Sequence, residues 1–154
     1  MGRASREMDV LTELLEVTLD SVAGYREAAA LSDNRGLQQH FLRRADEREH
    51  VAERIAETIA SLGGKPPADG TPLGAAHRSF MNLRSRFNPD NRTMLKEVAR
   101  GEHFLRSCYE DVLQDNVLSP RAHDAVRVAY GSVWAGEQGV TGRMVDYGLR
   151  PQAM

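Results

Sequence analysis

The chain has 154 residues, enough for one domain with a sizeable core and too few to expect two. Hydrophobic residues make up 41% and charged residues 27%, ordinary for a soluble globular protein, and a formal net charge of −2 argues against a dedicated nucleic-acid binder. No apolar run approaches the roughly 18 residues of a membrane span. The N-terminal Met-Gly-Arg-Ala-Ser lacks the apolar core of a secretory signal, so a cytoplasmic location is expected.

Four long amphipathic segments follow in chain order. The first, about 6–31, carries the stripe Leu11, Leu15, Thr18, Val22, Tyr25 and Ala29 at helical spacing. The second, about 33–62, has Ser32 as a candidate cap and Gly63-Gly64 as its stop. The stretch from Gly63 to Pro89 begins as a loop by composition, and its second part, about 73–87, reads as a short helix with Leu73, Ala76, Phe80 and Leu83 on one side. The third long segment, about 90–114, is followed closely by the fourth, about 120–147, which opens on Ser119-Pro120, a capping serine before a proline at the first helical position. Short links within each pair make antiparallel neighbours. Two αα-hairpins joined by one long crossover give the ferritin-like arrangement of a four-helix bundle. The predicted fold is therefore all-α, a single ferritin-like domain over 1–154 with a short extra helix in the crossover.

Three glutamates interrupt the apolar stripes. Glu102 lies among Leu95, Val98, Leu105, Tyr109 and Val112, and Glu137 lies among Val126, Tyr130, Val133, Val140, Met144 and Tyr147. Glu47 stands beside Val51, Ile55 and Leu62 on a less regular stripe. Each is expected to point where helices pack, and a buried carboxylate is costly unless paired, protonated or bound to a metal. The fourth segment also contains Gly131, Gly136, Gly139 and Gly142, each costing roughly 1 kcal/mol relative to alanine inside a helix. They imply close approach of a neighbouring helix or of a second subunit, or else a π-bulge near Glu137.

Several short strings carry a family resemblance. Gly-Tyr-Arg-Glu-Ala-Ala (Gly24 to Ala29), Ala-Asp-Glu-Arg (Ala45 to Arg48), Leu-Gly-Gly (Leu62 to Gly64), His-Arg-Ser-Phe-Met-Asn-Leu (His77 to Leu83) and Arg-Gly-Glu (Arg100 to Glu102) run in order over about 140 residues of the chain. Together they resemble a bacterial ferritin-like family described only as a domain of unknown function (family 2383). The resemblance implies a ferritin-like bundle and no particular reaction. The family pattern often has a glutamate near Val22 and a histidine near Glu137, so this chain departs from it at two would-be ligand positions.

Ferritin-like di-iron proteins take one glutamate from each of two helices and a Glu-x-x-His pair from each of the other two. Here Glu47 and His50 supply one such pair, Glu102 a single carboxylate, and Glu137 a carboxylate followed three residues on by Val140. The candidate metal set is therefore Glu47, His50, Glu102 and Glu137, suited to a single iron, manganese or zinc ion. Arg48 competes with that reading. It falls on the inner stripe of the second segment, and a guanidinium matches a carboxylate with two parallel hydrogen bonds. A polar core of Arg48, with Arg44 and the tyrosines Tyr25, Tyr109 and Tyr130, would neutralise the glutamates without a metal.

Other residues have blander readings. His40, His103 and His123 fall off the stripes and read as surface residues, and His77 as a structural histidine of the crossover. Cys108, the one cysteine, excludes an internal disulfide and reads as a small buried hydrophobe. No glycine-rich phosphate loop, nucleophile elbow or Cys-x-x-Cys pair is present. The functional expectation is a non-catalytic, cytoplasmic, homodimeric bundle of structural or stress-related role. No cofactor, nucleic-acid partner or membrane is expected, and the sequence identifies no small-molecule substrate. The rivals are a metal-dependent ferritin-like oxidase and a partner-binding module using the glycine strip.

Overall fold

The computed structural model describes residues 2–70 and 90–150. They form four helices: α1 (Arg3–Leu31), α2 (Arg35–Ser61), α3 (Asn91–Gln114) and α4 (Pro120–Asp146). The crossover helix expected at 73–87 lies outside the described residues.

The ends of the helices follow local chemistry. Ser119 caps α4 with Pro120 in its first turn, as expected, and the α2 C-terminus closes through Gly63 at φ 86°. There the N–H of Gly64 donates to the Ile59 carbonyl at 3.0 Å. The start of α2 differs from expectation. The cap is Asn34, whose side chain accepts the Leu37 N–H at 2.9 Å, while the Ser32 hydroxyl donates to the Asn34 carbonyl. Asn and Ser are comparably good caps, and a helix begins wherever the side chain reaches the third amide.

Each helix packs on two others: α1 on α2 and α3, and α4 on α2 and α3. The pairs α1/α4 and α2/α3 are therefore diagonal. At one end of the bundle, Arg3 of α1 donates to the Asn116 carbonyl in the α3–α4 turn at 3.1 Å, the Glu7 carboxylate accepts the Ser119 N–H, and Gly64 lies against Met8. At the other end, Arg92 of α3 donates to the Tyr147 carbonyl at 2.9 Å. Thus α2 finishes at the end opposite to the one where α3 begins. Gly70 lies beside Asp20, about halfway along α1.

The interior is divided in two. One apolar cluster contains Leu11, Leu15, Ile55, Ile59, Leu105, Tyr109, Val126 and Val133. The other contains Tyr25, Leu37, Phe41, Met94, Leu95, Val140 and Met144. Between them runs a layer in which buried charge replaces hydrocarbon, and this layer is the candidate site.

Candidate functional site

Arg48 projects from α2 into the centre of the bundle because residues 41, 45, 48, 52, 55 and 59 share its inner face. It reaches diagonally to Glu102 on α3 and meets it with two hydrogen bonds, Nη1 to Oε1 at 2.7 Å and Nη2 to Oε2 at 2.8 Å. Both side chains are 2% exposed. Nη1 also donates to the Ser21 Oγ of α1 at 2.6 Å, and the guanidinium lies 5.6 Å from the Tyr25 ring centroid. The fourth side is closed by backbone. A Cβ at Gly136 of α4 would fall 2.6 Å from Arg48 Nη2 and 2.7 Å from Glu102 Oε2. All four helices thus meet at the pair: Ser21 and Tyr25 of α1, Arg48 of α2, Glu102 of α3 and Gly136 of α4.

The local electrostatics follow from this geometry. Burial opposes the charge on Arg48, but the Glu102 carboxylate and its hydrogen bonds outweigh it and hold the guanidinium pKa above its ordinary value. Burial raises the Tyr25 phenol, and the neighbouring Glu102 carboxylate raises it further against the opposing pull of Arg48. Burial likewise pushes Tyr109 up to about 12, opposed by its contact with Thr18 Oγ1 at 2.9 Å.

Glu137, also buried, follows Gly136 on α4 but turns toward α3. It lies 3.1 Å from Arg106 Nε and 3.9 Å from His103 Nδ1. Burial raises its carboxyl pKa, Arg106 and His103 lower it, and Glu102 and Glu110 raise it again. Arg106 is shared with Glu110 at 3.3 Å and stacks 5.4 Å from the Trp134 ring centroid. Tyr130 donates to Glu110 at 2.7 Å, so it belongs to this outer network and not to the central pair.

The proposed metal set does not assemble. Glu47 is 52% exposed and pairs with Arg44 at 2.6 Å, while His50 is 79% exposed beside Glu53. The reason is angular: with Arg48 facing inward, position 50 is turned about 200° away from the centre. The two groups that do lie inside are already engaged, since both Glu102 oxygens bind Arg48 and Glu137 faces Arg106. Among the described residues no group of three or more His, Cys, Asp and Glu side chains is arranged to hold a metal ion. The donor set therefore does not fit the di-iron centre that the fold suggests.

Other expectations are corrected in detail. Arg44 does not reach the central glutamates; its guanidinium lies against Gly139 of α4. His40 is buried, its ring 5.8 Å from that of Phe41, rather than on the surface. His103 is exposed, as expected, and lies near Glu137, while His123 is half-buried. His77 lies outside the described residues. Cys108 is half-buried against the core, and burial raises its thiol pKa. Helix α4 is α-helical throughout, without a π-bulge. Gly136 and Gly139 receive arginines of α2, whereas among the described residues nothing lies within 4 Å of a Cβ at Gly131 or Gly142. Arg106 and Ser21 were not evident from the stripes. The one signal for Arg106 is its place four residues from both Glu102 and Glu110, on the flank of the same helix face.

Four helices whose packed neighbours run antiparallel, with α2 ending opposite to the end where α3 begins and a charged layer at mid-height, have the arrangement of a ferritin-like four-helix bundle. Residues 6–115 match the model of the family described as a domain of unknown function (DUF2383), and the chain belongs to that family. Among solved structures it is similar to a dodecameric thioferritin, a bacterioferritin-related protein from Bacteroides fragilis. The TM-score is 0.75 over 94% of this chain and 88% of that one, at 19% identity, a likeness that shows the fold. None of the curated proteins compared matches this sequence. No helix among the described residues is long and apolar enough to cross a membrane.

Proposed function

We propose that this protein is a non-catalytic ferritin-like bundle in which an internal arginine supplies the positive charge that metal supplies in ferritin-like di-iron proteins. The observation that carries this reading is the Arg48–Glu102 pair, bidentate, 2% exposed on both sides and closed by the Gly136 backbone. A guanidinium already fills the coordination positions of Glu102, and displacing it would leave an uncompensated buried cation. The role supported is that of a structural protein that assembles with copies of itself, with a homodimer as the simplest form. The dodecameric assembly named for the thioferritin supports self-association, and analogy with ferritin-like proteins supports a stress-related setting.

The test is metal analysis of untagged protein, followed by titration with ferrous iron, manganese and zinc in turn. Far less than one equivalent bound, and no iron-dependent oxygen consumption, is the expected result. Stoichiometric metal that disappears in Glu102→Ala would overturn the proposal in favour of a metal-handling bundle.

A further inference from the structure

The outer face of α4 is built unlike the solvent face of a solitary helix. Of the five large apolar side chains exposed among the described residues, three lie on it or at its edge: Val128 at 49%, Trp134 at 45% and Val145 at 60%. Between Arg127 and Asp146 the only charged side chains are Glu137, which is buried, and Arg143, which lies close enough to His40 of α2 to lower its pKa. The solvent line along this face is Val128, Gly131, Ala135, Gln138, Gly142 and Val145, spaced alternately by three and four residues. That spacing is the heptad seam of paired helices. Among the described residues nothing lies within 4 Å of a Cβ at either Gly131 or Gly142. A solvated helix face normally carries charge on every turn, and here about four turns carry none.

The line is also symmetric about the point between Gly136 and Glu137. Val128 and Val145 are equidistant from it, as are Gly131 and Gly142, and Ala135 and Gln138. Only an antiparallel twofold partner uses such a pattern fully, since an isologous contact pairs residue i with j and j with i. In that pairing each valine meets a valine, and the glycines meet glycines, which lets the helix axes approach to the short end of the usual 8–10 Å range. The end charges favour the same arrangement. Arg127 of one copy stands level with Asp146 of the other at both ends, whereas a parallel pair would set arginine level with arginine and aspartate with aspartate.

We infer that the exposed face of α4 is a self-association surface that binds a second copy of this chain antiparallel across a twofold axis between Gly136 and Glu137. This rests on the homo-oligomer reading above and names the surface that would form it. A single pair of helices about 25 Å long lies at the lower end of stable interface sizes, so association is concentration-dependent.

Sedimentation velocity over a concentration series, with Ala135→Glu as the variant, tests the surface. Ala135 is exposed, so the melting curve serves as the control for folding. The expected result is a twofold mass in the parent and at least a ten-fold weaker association in the variant, with the melt unchanged. Orientation is read by oxidative cross-linking in a Cys108→Ser background. Val128→Cys combined with Val145→Cys should cross-link two chains, whereas either alone should not, because like positions lie about 25 Å apart in the antiparallel pair. An oligomer unaffected by Ala135→Glu would overturn this surface and leave the homo-oligomer reading standing. A monomer at every concentration would overturn both. Rapid cross-linking of the single-cysteine chains would overturn the antiparallel geometry.

Discussion

Replacing Arg48 with methionine removes the cation and keeps most of the side-chain volume. Glu102, 2% exposed, then loses the two charge-assisted hydrogen bonds that Arg48 supplies. Such bonds contribute about 1.5–3 kcal/mol each, and burying the methionine offsets part of the loss. Removing one partner of a buried pair typically costs about 3–5 kcal/mol. Against a total stability of about 5–15 kcal/mol the loss is large, and for a domain of this size it corresponds to a fall in Tm of about 10 °C. The assay is urea unfolding followed by circular dichroism at neutral pH. An orphaned buried carboxylate is relieved by protonation, so the deficit should shrink as pH is lowered. The double variant Arg48→Met with Glu102→Leu should recover most of the loss, because no charge is then left unpaired. A loss under about 1 kcal/mol for Arg48→Met, comparable to a surface pair, would refute the reasoning.

Gly136→Ala should destabilise by about 1–3 kcal/mol through overpacking against the ion pair, although alanine is the better helix former. Gly101→Ala, on the exposed side of α3 with nothing among the described residues within 4 Å of the added methyl, should instead stabilise by up to about 1 kcal/mol, and comparing the two urea midpoints separates packing from propensity. His40 is lowered from 6.5 to about 4, by burial first and then by Arg143, Arg44 and Arg43. The unfolded chain therefore binds a proton there that the folded chain refuses, and stability should decline as pH falls from about 6.5 to 4; His40→Phe should flatten that part of the stability profile.

The fold was legible because its determinants are local. Ser119-Pro120 and Gly63 mark helix ends through backbone chemistry, and the unequal lengths of the connections dictate which helices are neighbours. Glu102 and Glu137 were legible as stripe interruptions for the same reason. Glu47 was misplaced because α2 offers two competing inner lines, one through Glu47 and Val51 and one through Arg48 and Ala52, separated by a single residue. Only packing against α3 and α4 chooses between them. The partner of Arg48 depends on which helices are diagonal, and the space for it depends on the missing Cβ of Gly136, neither of which a periodicity reveals.

The central pair also bears on why the helices stop where they do along one another. Leucine-rich clusters above and below tolerate axial slip, since one apolar contact replaces another at similar cost. Arg48 does not tolerate it. A displacement of α2 by one turn, about 5.4 Å, moves the guanidinium away from Glu102, Ser21 and the gap at Gly136 together, and leaves each charge buried alone. Even if the pair adds little net stability over a hydrocarbon core, it penalises the misregistered bundles strongly. The same registration fixes Arg44 over Gly139 one turn along α4, and so holds the outer face of that helix in a single position relative to the rest of the bundle. A surface proposed to meet its own copy across a twofold axis needs that fixed position, because an axial shift of α4 would carry the twofold point between Gly136 and Glu137 along the molecule.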